Sequence, residues 1–199
     1  MLSSFKNIFN DKRKKTLVHN YLSLSVLQIA NYLLPLLTFP YLVRVLGPEK
    51  FGIIALAQAV MSYFIILTDF GFDLSATKNI SMHRNDIKKK SEIVSCVLFV
   101  RFCLTLISFI ILCLMLFLFQ DIKTEYKIYL LTFSWVVGQV LFPSFFFQGM
   151  EAMGFITLLN FIAKLISTLS IFIFIRNASQ YIYVPLINGI GFCVAGLLA

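Results

Sequence analysis

Six apolar runs, each near the roughly 20 residues that a membrane-spanning helix needs, alternate with short polar connections along the chain. They fall near residues 21–43, 51–70, 93–119, 128–147, 155–175 and 181–198. Inside most of them polar residues recur at three- and four-residue spacing, which places them on one face of a helix. The first run carries Gln28, Asn31, Pro35 and Thr38, the second Gln58, Ser62 and Asp69, and the third Arg101, Thr105 and Ser108. The fourth sets Thr132 and Gln139 on either side of Trp135, the fifth holds Thr157, Asn160, Lys164 and Ser167, and the sixth Asn188 with Gly191. A single Ser or Thr in a membrane helix is ordinary interhelical hydrogen bonding. Stripes in five consecutive helices predict more: an all-α integral membrane protein of six transmembrane helices with a shared wet interior.

The join between the first two runs is the best specified. Pro35 and Pro40 lie inside the first run, and each removes a backbone donor and crowds the carbonyl four residues back. Freed backbone groups are tolerated in a membrane only where protein or water satisfies them. The pair therefore predicts a kinked, cavity-lining helix with Pro35 and Pro40 as its hinge. Gly47 then ends the helix, Pro48 suits a first helical position and Glu49 a helix N-terminus. The longest connection, Gly71–Glu92, reads as a basic loop in which Asn85 caps a helix beginning near Asp86.

Composition agrees with the pattern. The 199 residues are 59% hydrophobic and 13% charged, against about 25% charged in soluble domains. A net charge of +8 would fit nucleic acid, but the basic residues cluster at the ends of apolar runs, as membrane orientation demands. Residues 1–16 form a basic tail. Leu2, Phe5 and Phe9 at helical spacing make it either a short interfacial helix on anionic lipid or a frayed segment carrying topology charges. Residues 17–199 form the six-helix unit; its first run is too long for a signal peptide. With the N-terminus cytoplasmic, ten basic residues lie inside and five outside, so that orientation is expected.

Enzyme and metal signals are missing from the sequence. Cys96, Cys103, Cys113 and Cys193 form no CxxC, and His19 and His83 lie far apart; no metal site and no cofactor are expected. Asp69-Phe70-Gly71 spells a kinase triplet without the other kinase motifs, and no nucleotide-binding loop or hydrolase motif occurs. Asp69 and Asp73 are read as solvated or loop-capping carboxylates. The sharpest chemical signal is Arg101 and Lys164, each costing roughly 2.5–3.5 kcal/mol at a helix centre. They lie at similar depth with no carboxylate expected beside them. Two such cations predict an anion site.

Three stretches resemble a known family. PLLTFPYLVRVLGPEKFG is similar to the N-terminal signature of bacterial polysaccharide-biosynthesis flippases of the O-antigen (Wzx-type) group, in the multidrug/oligosaccharidyl-lipid/polysaccharide exporter superfamily. DFGFDLSATKNIS (Asp69–Ser81) and PSFFFQGMEAMGFIT (Pro143–Thr157) fit the same pattern. The resemblance runs over essentially the whole chain and implies two six-helix lobes facing each other. This chain would be one lobe, a half-length product unable to transport alone, or else one of two copies around a cavity. It implies translocation of an undecaprenyl-pyrophosphate-linked oligosaccharide, an O-antigen (lipopolysaccharide) or capsule repeat unit, across the cell inner membrane by alternating access. Membrane lipids, a polysaccharide polymerase and chain-length proteins are the implied partners; nucleic acid is not. In that reading Arg101 and Lys164 take the pyrophosphate and Gln28, Asn31, Gln58, Gln139 and Asn160 the sugar, with Asp69 a candidate for ion coupling. Two rivals remain: a multidrug/cation antiporter of the same superfamily, which favours acidic residues deep in the bundle, and a membrane glycan polymerase or glycosyltransferase, which wants a large carboxylate-bearing loop.

Overall fold

A computed structural model describes residues 12–119 and 123–199, with the backbone alone for 12–24 and 26. The tail's proposed interfacial helix falls mostly on residues 1–11 and lies outside the described residues. Among the described residues there is no strand. The helices are α1 (Lys12–Leu46), α2 (Pro48–Asp69), α3 (Phe72–Met82), α4 (Ile87–Leu118), α5 (Tyr126–Leu141), α6 (Ser144–Gly149), α7 (Met153–Phe174) and α8 (Tyr183–Leu198), with a 3₁₀ turn, η1 (Ala178–Ile182), before α8. Among the described residues six helical stretches, with α2–α3, α5–α6 and η1–α8 each counted as one, are long and apolar enough to cross a membrane.

The first turn forms as the residues dictate. Gly47 takes φ 80°, Pro48 opens α2 and Glu49 sits in its first turn. Pro35 and Pro40, however, lie within one uninterrupted helix, α1. The Thr38 hydroxyl donates to the carbonyls of Leu34 (3.2 Å) and Pro35 (3.0 Å).

Gly71–Glu92 is not a loop. Phe70 (φ 41°) and Gly71 (φ 77°) are both left-handed, so α2 turns sharply and restarts as α3. Ala76 and Ile80, one helical turn apart, are buried against Phe145. Ile80 also packs where a Cβ on Gly149 would sit, 2.7 Å away, and the Thr77 hydroxyl donates to the Phe145 carbonyl at 3.3 Å. Thus α3 and α6 close one end of the bundle together. The cap of α4 is Asp86, whose carboxylate accepts from the Lys89 amide at 3.1 Å; the expected cap, Asn85, does not serve.

At the opposite end, which carries Gly47, an apolar plug forms from Leu42, Leu46, Ile54, Ile171, Ile175 and Val184. Outside it, Glu125 takes a hydrogen bond from Tyr181 (2.9 Å) and pairs with Lys50 (3.4 Å), tying α2, the start of α5 and η1. The tightest seam joins α5 and α8 through small residues, as helices in lipid require for close approach. A Cβ on Gly189 would lie 2.7 Å from Ser134 Cβ, and one on Gly138 2.9 Å from the Cys193 backbone nitrogen.

Candidate functional site

Between the plug and the α3–α6 end lies a cavity of about 760 Å³, within the range of about 300–1,000 Å³ typical of ligand sites. Its walls come from α1, α2, α5, α7 and α8, with Asp73 of α3 and Ser144 of α6 at one end. Five helices contribute all or part of the polar stripe read from their sequence: Gln28, Asn31, Pro35 and Thr38 from α1, Gln58 but not Ser62 or Asp69 from α2, and Trp135 and Gln139 but not Thr132 from α5. Thr157, Asn160, Lys164 and Ser167 come from α7, and Asn188 from α8. The five proposed sugar-binding residues therefore share one space with Lys164. Of the two prolines expected to form a hinge, Pro35 lines that space and Pro40 does not.

Asn31 is 6% exposed, and its Oδ1 has no hydrogen-bond partner among the described residues. Pro35, four residues on, also deprives the Asn31 carbonyl of its usual helical donor. An acceptor-rich spot thus sits on the cavity wall. The Trp135 indole nitrogen is likewise buried and unpartnered among the described residues. Lys164 faces the α1 wall, where Tyr32 lies within its electrostatic reach and accepts a hydrogen bond from Gln28 Nε2 at 3.2 Å. Sequence reading missed Tyr32, an aromatic residue indistinguishable there from the lipid-facing ones.

Arg101 is elsewhere, and the expectation that it lacks a carboxylate is wrong. It is 3% exposed and does not line the cavity. Its Nη2 donates to Asp69 Oδ1 and, at 2.8 Å, to Asp73 Oδ1, and its guanidinium stands over the Phe145 ring at 5.1 Å. The two carboxylates do not share one helix face. They flank the left-handed joint at Phe70–Gly71, which folds them together onto α4. Nor are they simply solvated: their side chains are 37% and 36% exposed. The rest of the α4 stripe is buried with Arg101; Thr105 donates to the Arg101 carbonyl at 2.7 Å and Ser108 is fully buried. That stripe serves helix packing and does not contribute to the shared interior.

Lys164 is consequently the one cation, and Asp73 the one carboxylate, among the described residues lining the cavity. Asp73 Oδ1 also accepts from the Ser144 hydroxyl at 2.8 Å. Among the described residues no group of three or more His, Cys, Asp or Glu side chains is placed to hold a metal. The arrangement offers one positive charge, amides and hydroxyls in a half-apolar chamber: a means of holding an anionic headgroup with a polar neutral body.

The family model described as polysaccharide biosynthesis protein matches residues 17–199. A protein of Escherichia coli (strain K12) named "Putative O-antigen transporter" is 37% identical over 186 residues, covering 94% of this chain and 45% of that protein. One of the same name from Shigella dysenteriae is 28% identical over 182 residues, 90% of this chain and 45% of its own. The chain thus spans about half the length of these curated relatives. No solved structure matches it significantly.

Proposed function

Because the chain belongs to the polysaccharide biosynthesis protein family, we propose that its six-helix bundle carries the substrate cavity of a flippase for undecaprenyl-pyrophosphate-linked oligosaccharide. The observation that carries this reading is the convergence of polar residues from five helices on one chamber whose described lining residues include a single lysine. The pyrophosphate binds Lys164, with the Tyr32 hydroxyl and the Gln28 amide at the facing wall as further donors. Gln58, Gln139, Asn160 and the open acceptors of Asn31 meet sugar hydroxyls. Arg101 leaves this role, because a guanidinium already held by two carboxylates has little to offer a third anion. The transport cycle uses alternating access in the cytoplasmic membrane with the N-terminus cytoplasmic. It needs a second bundle to face this one, and Pro35 and Pro40 let α1 flex.

The antiporter reading asks for an acidic group deep in the bundle, whereas Asp69 and Asp73 lie at the end closed by α3 and α6, both paired with Arg101. The test is binding of a synthetic polyprenyl-pyrophosphate disaccharide to the purified chain in lipid nanodiscs. Lys164→Gln should weaken binding about tenfold or more, as loss of a charge-assisted contact requires, and Lys164→Arg should retain most of it. Equal affinity for wild type and Lys164→Gln would sink the assignment.

A further inference from the structure

The cavity is bipolar along its length, and this bears on which glycan it accepts. Resting on the flippase reading above, we infer that Asp73 is a specificity-determining residue that admits neutral or amine-bearing glycans and rejects those with an acidic sugar near the pyrophosphate.

The argument begins with where a bound glycan can go. Lys164 lies midway along α7, with Asn160 and Thr157 toward one end and Ile171 toward the other. The Ile171 side is closed by the apolar plug. A headgroup held at Lys164 therefore finds its polar space on the other side, past Asn160 and Thr157 toward Ser144 and Asp73. The sugar attached to the pyrophosphate must extend that way, and Asp73 is the charge it meets.

That charge is fixed and available. Arg101 Nη2 and the Ser144 hydroxyl both bond Asp73 Oδ1, which leaves Oδ2 free of any hydrogen bond among the described residues on a side chain 36% exposed. Arg101 does not cancel the field, because it holds Asp69 as well. Two carboxyl groups share one guanidinium, and the cavity-facing member of the cluster is Asp73. Lys164 is committed to the pyrophosphate. A uronate or other acidic sugar would thus lie beside a carboxylate with no cation to spare among the described lining residues. Like charges brought together across a site penalise the wrong partner more than they help the right one. Arg101 acts here as a positioning residue: it holds Asp73 in place without touching the ligand.

The test uses the whole chain in nanodiscs and two synthetic polyprenyl-pyrophosphate disaccharides, one ending in glucose and one in glucuronic acid. The wild type should bind the glucose ligand about tenfold or more tightly than the glucuronate ligand, one power of ten in Kd. Asp73→Asn should bring the ratio below about threefold by recovering the glucuronate ligand, and Asp73→Glu should keep it. Because Asp73→Asn could disturb the Arg101 cluster, the wild-type ratio is also measured in rising NaCl, where screening should shrink it and a steric barrier would not. Equal wild-type affinities, or a ratio unmoved by both Asp73→Asn and salt while binding still depends on Lys164, overturn the inference alone. Binding of the glucose ligand that ignores Lys164, or no binding of either ligand, overturns the flippase reading and this inference with it.

Discussion

Removing the Arg101 guanidinium should destabilise the bundle measurably. Arg101 is buried, and one of its nitrogens bonds two carboxylates. Hydrogen bonds to charged groups contribute about 1.5–3 kcal/mol each when buried, but both carboxylates are more than a third exposed and can partly rehydrate, so about half of that survives. The pair then gives about 1.5–3 kcal/mol, and contact with the Phe145 ring adds about 0.5–1 kcal/mol. Arg101→Met should therefore cost about 2–4 kcal/mol, a fall of about 5–12 °C in Tm for a chain of this size. Thermal unfolding in detergent, followed through the single tryptophan, Trp135, measures it. Arg101→Met combined with Asp69→Asn and Asp73→Asn should recover to within about 1 kcal/mol of wild type, since replacing a whole buried ion cluster costs far less than orphaning part of it. Arg101→Lys should fall between, because one ammonium keeps the charge and loses the rigid planar donor. If Arg101→Met melts with the wild type, the cluster contributes no stability and the assignment of Arg101 to structure fails.

Three further outcomes follow from the geometry. Gly189→Ala puts a methyl 2.7 Å from Ser134 Cβ across the α5–α8 seam and should destabilise by about 1–3 kcal/mol; adding Ser134→Gly should return part of the loss in the same melting assay. Replacing Pro35 and Pro40 by Ala should leave insertion intact and, in a full transporter carrying this bundle, slow transport; unchanged rates would make both prolines purely structural. Between α6 and α7, the hydrogen bond and charge of Arg84 hold the Glu151 carboxyl below its usual range, through a contact of 2.7 Å. A depressed carboxylate stabilises above its unfolded pKa and loses that contribution as pH falls through its folded value. The small Tm gap between wild type and Glu151→Gln should therefore be present at neutral pH and vanish in acid, and a gap constant down to pH about 3 would refute the pairing.

The parts legible in the sequence were those with a period. Apolar length marked six spans, and three- and four-residue spacing marked polar residues of α1, α2, α5 and α7 that meet around the cavity; the stripe expected to join them from α4 does not, and α8 adds Asn188. What escaped depended on how the chain folds back between periodic segments. Phe72, Ala76 and Ile80 do carry a helical spacing, but Gly71 and the basic residues that follow read as loop, so α3 was invisible until its apolar side met Phe145. The same blindness produced the error at Arg101. Placing Asp69 and Asp73 at a span's end made them look solvated, because nothing local signals that a non-glycine residue, Phe70, adopts φ 41° and swings Asp73 back toward α4.

The two intramembrane cations thus have different physical histories, although their sequence surroundings look alike. Both sit among Thr, Ser and Asn at helical spacing, and both carry the same cost of removal from water. For Arg101 the protein meets most of that cost itself, with two carboxylates on Nη2 delivered by a backbone turn, although its Nε is buried without a partner among the described residues; the result is a corner joining α2, α3 and α4. Lys164 has no carboxylate within ion-pair distance among the described residues, only a polar chamber and the Tyr32 ring opposite. A half-buried charge with no carboxylate against it, like Lys164, is the one with free energy left to spend on a ligand. The useful distinction between a structural and a binding cation in a membrane helix is therefore whether a carboxylate folds onto it; depth and neighbouring residue types do not separate the two.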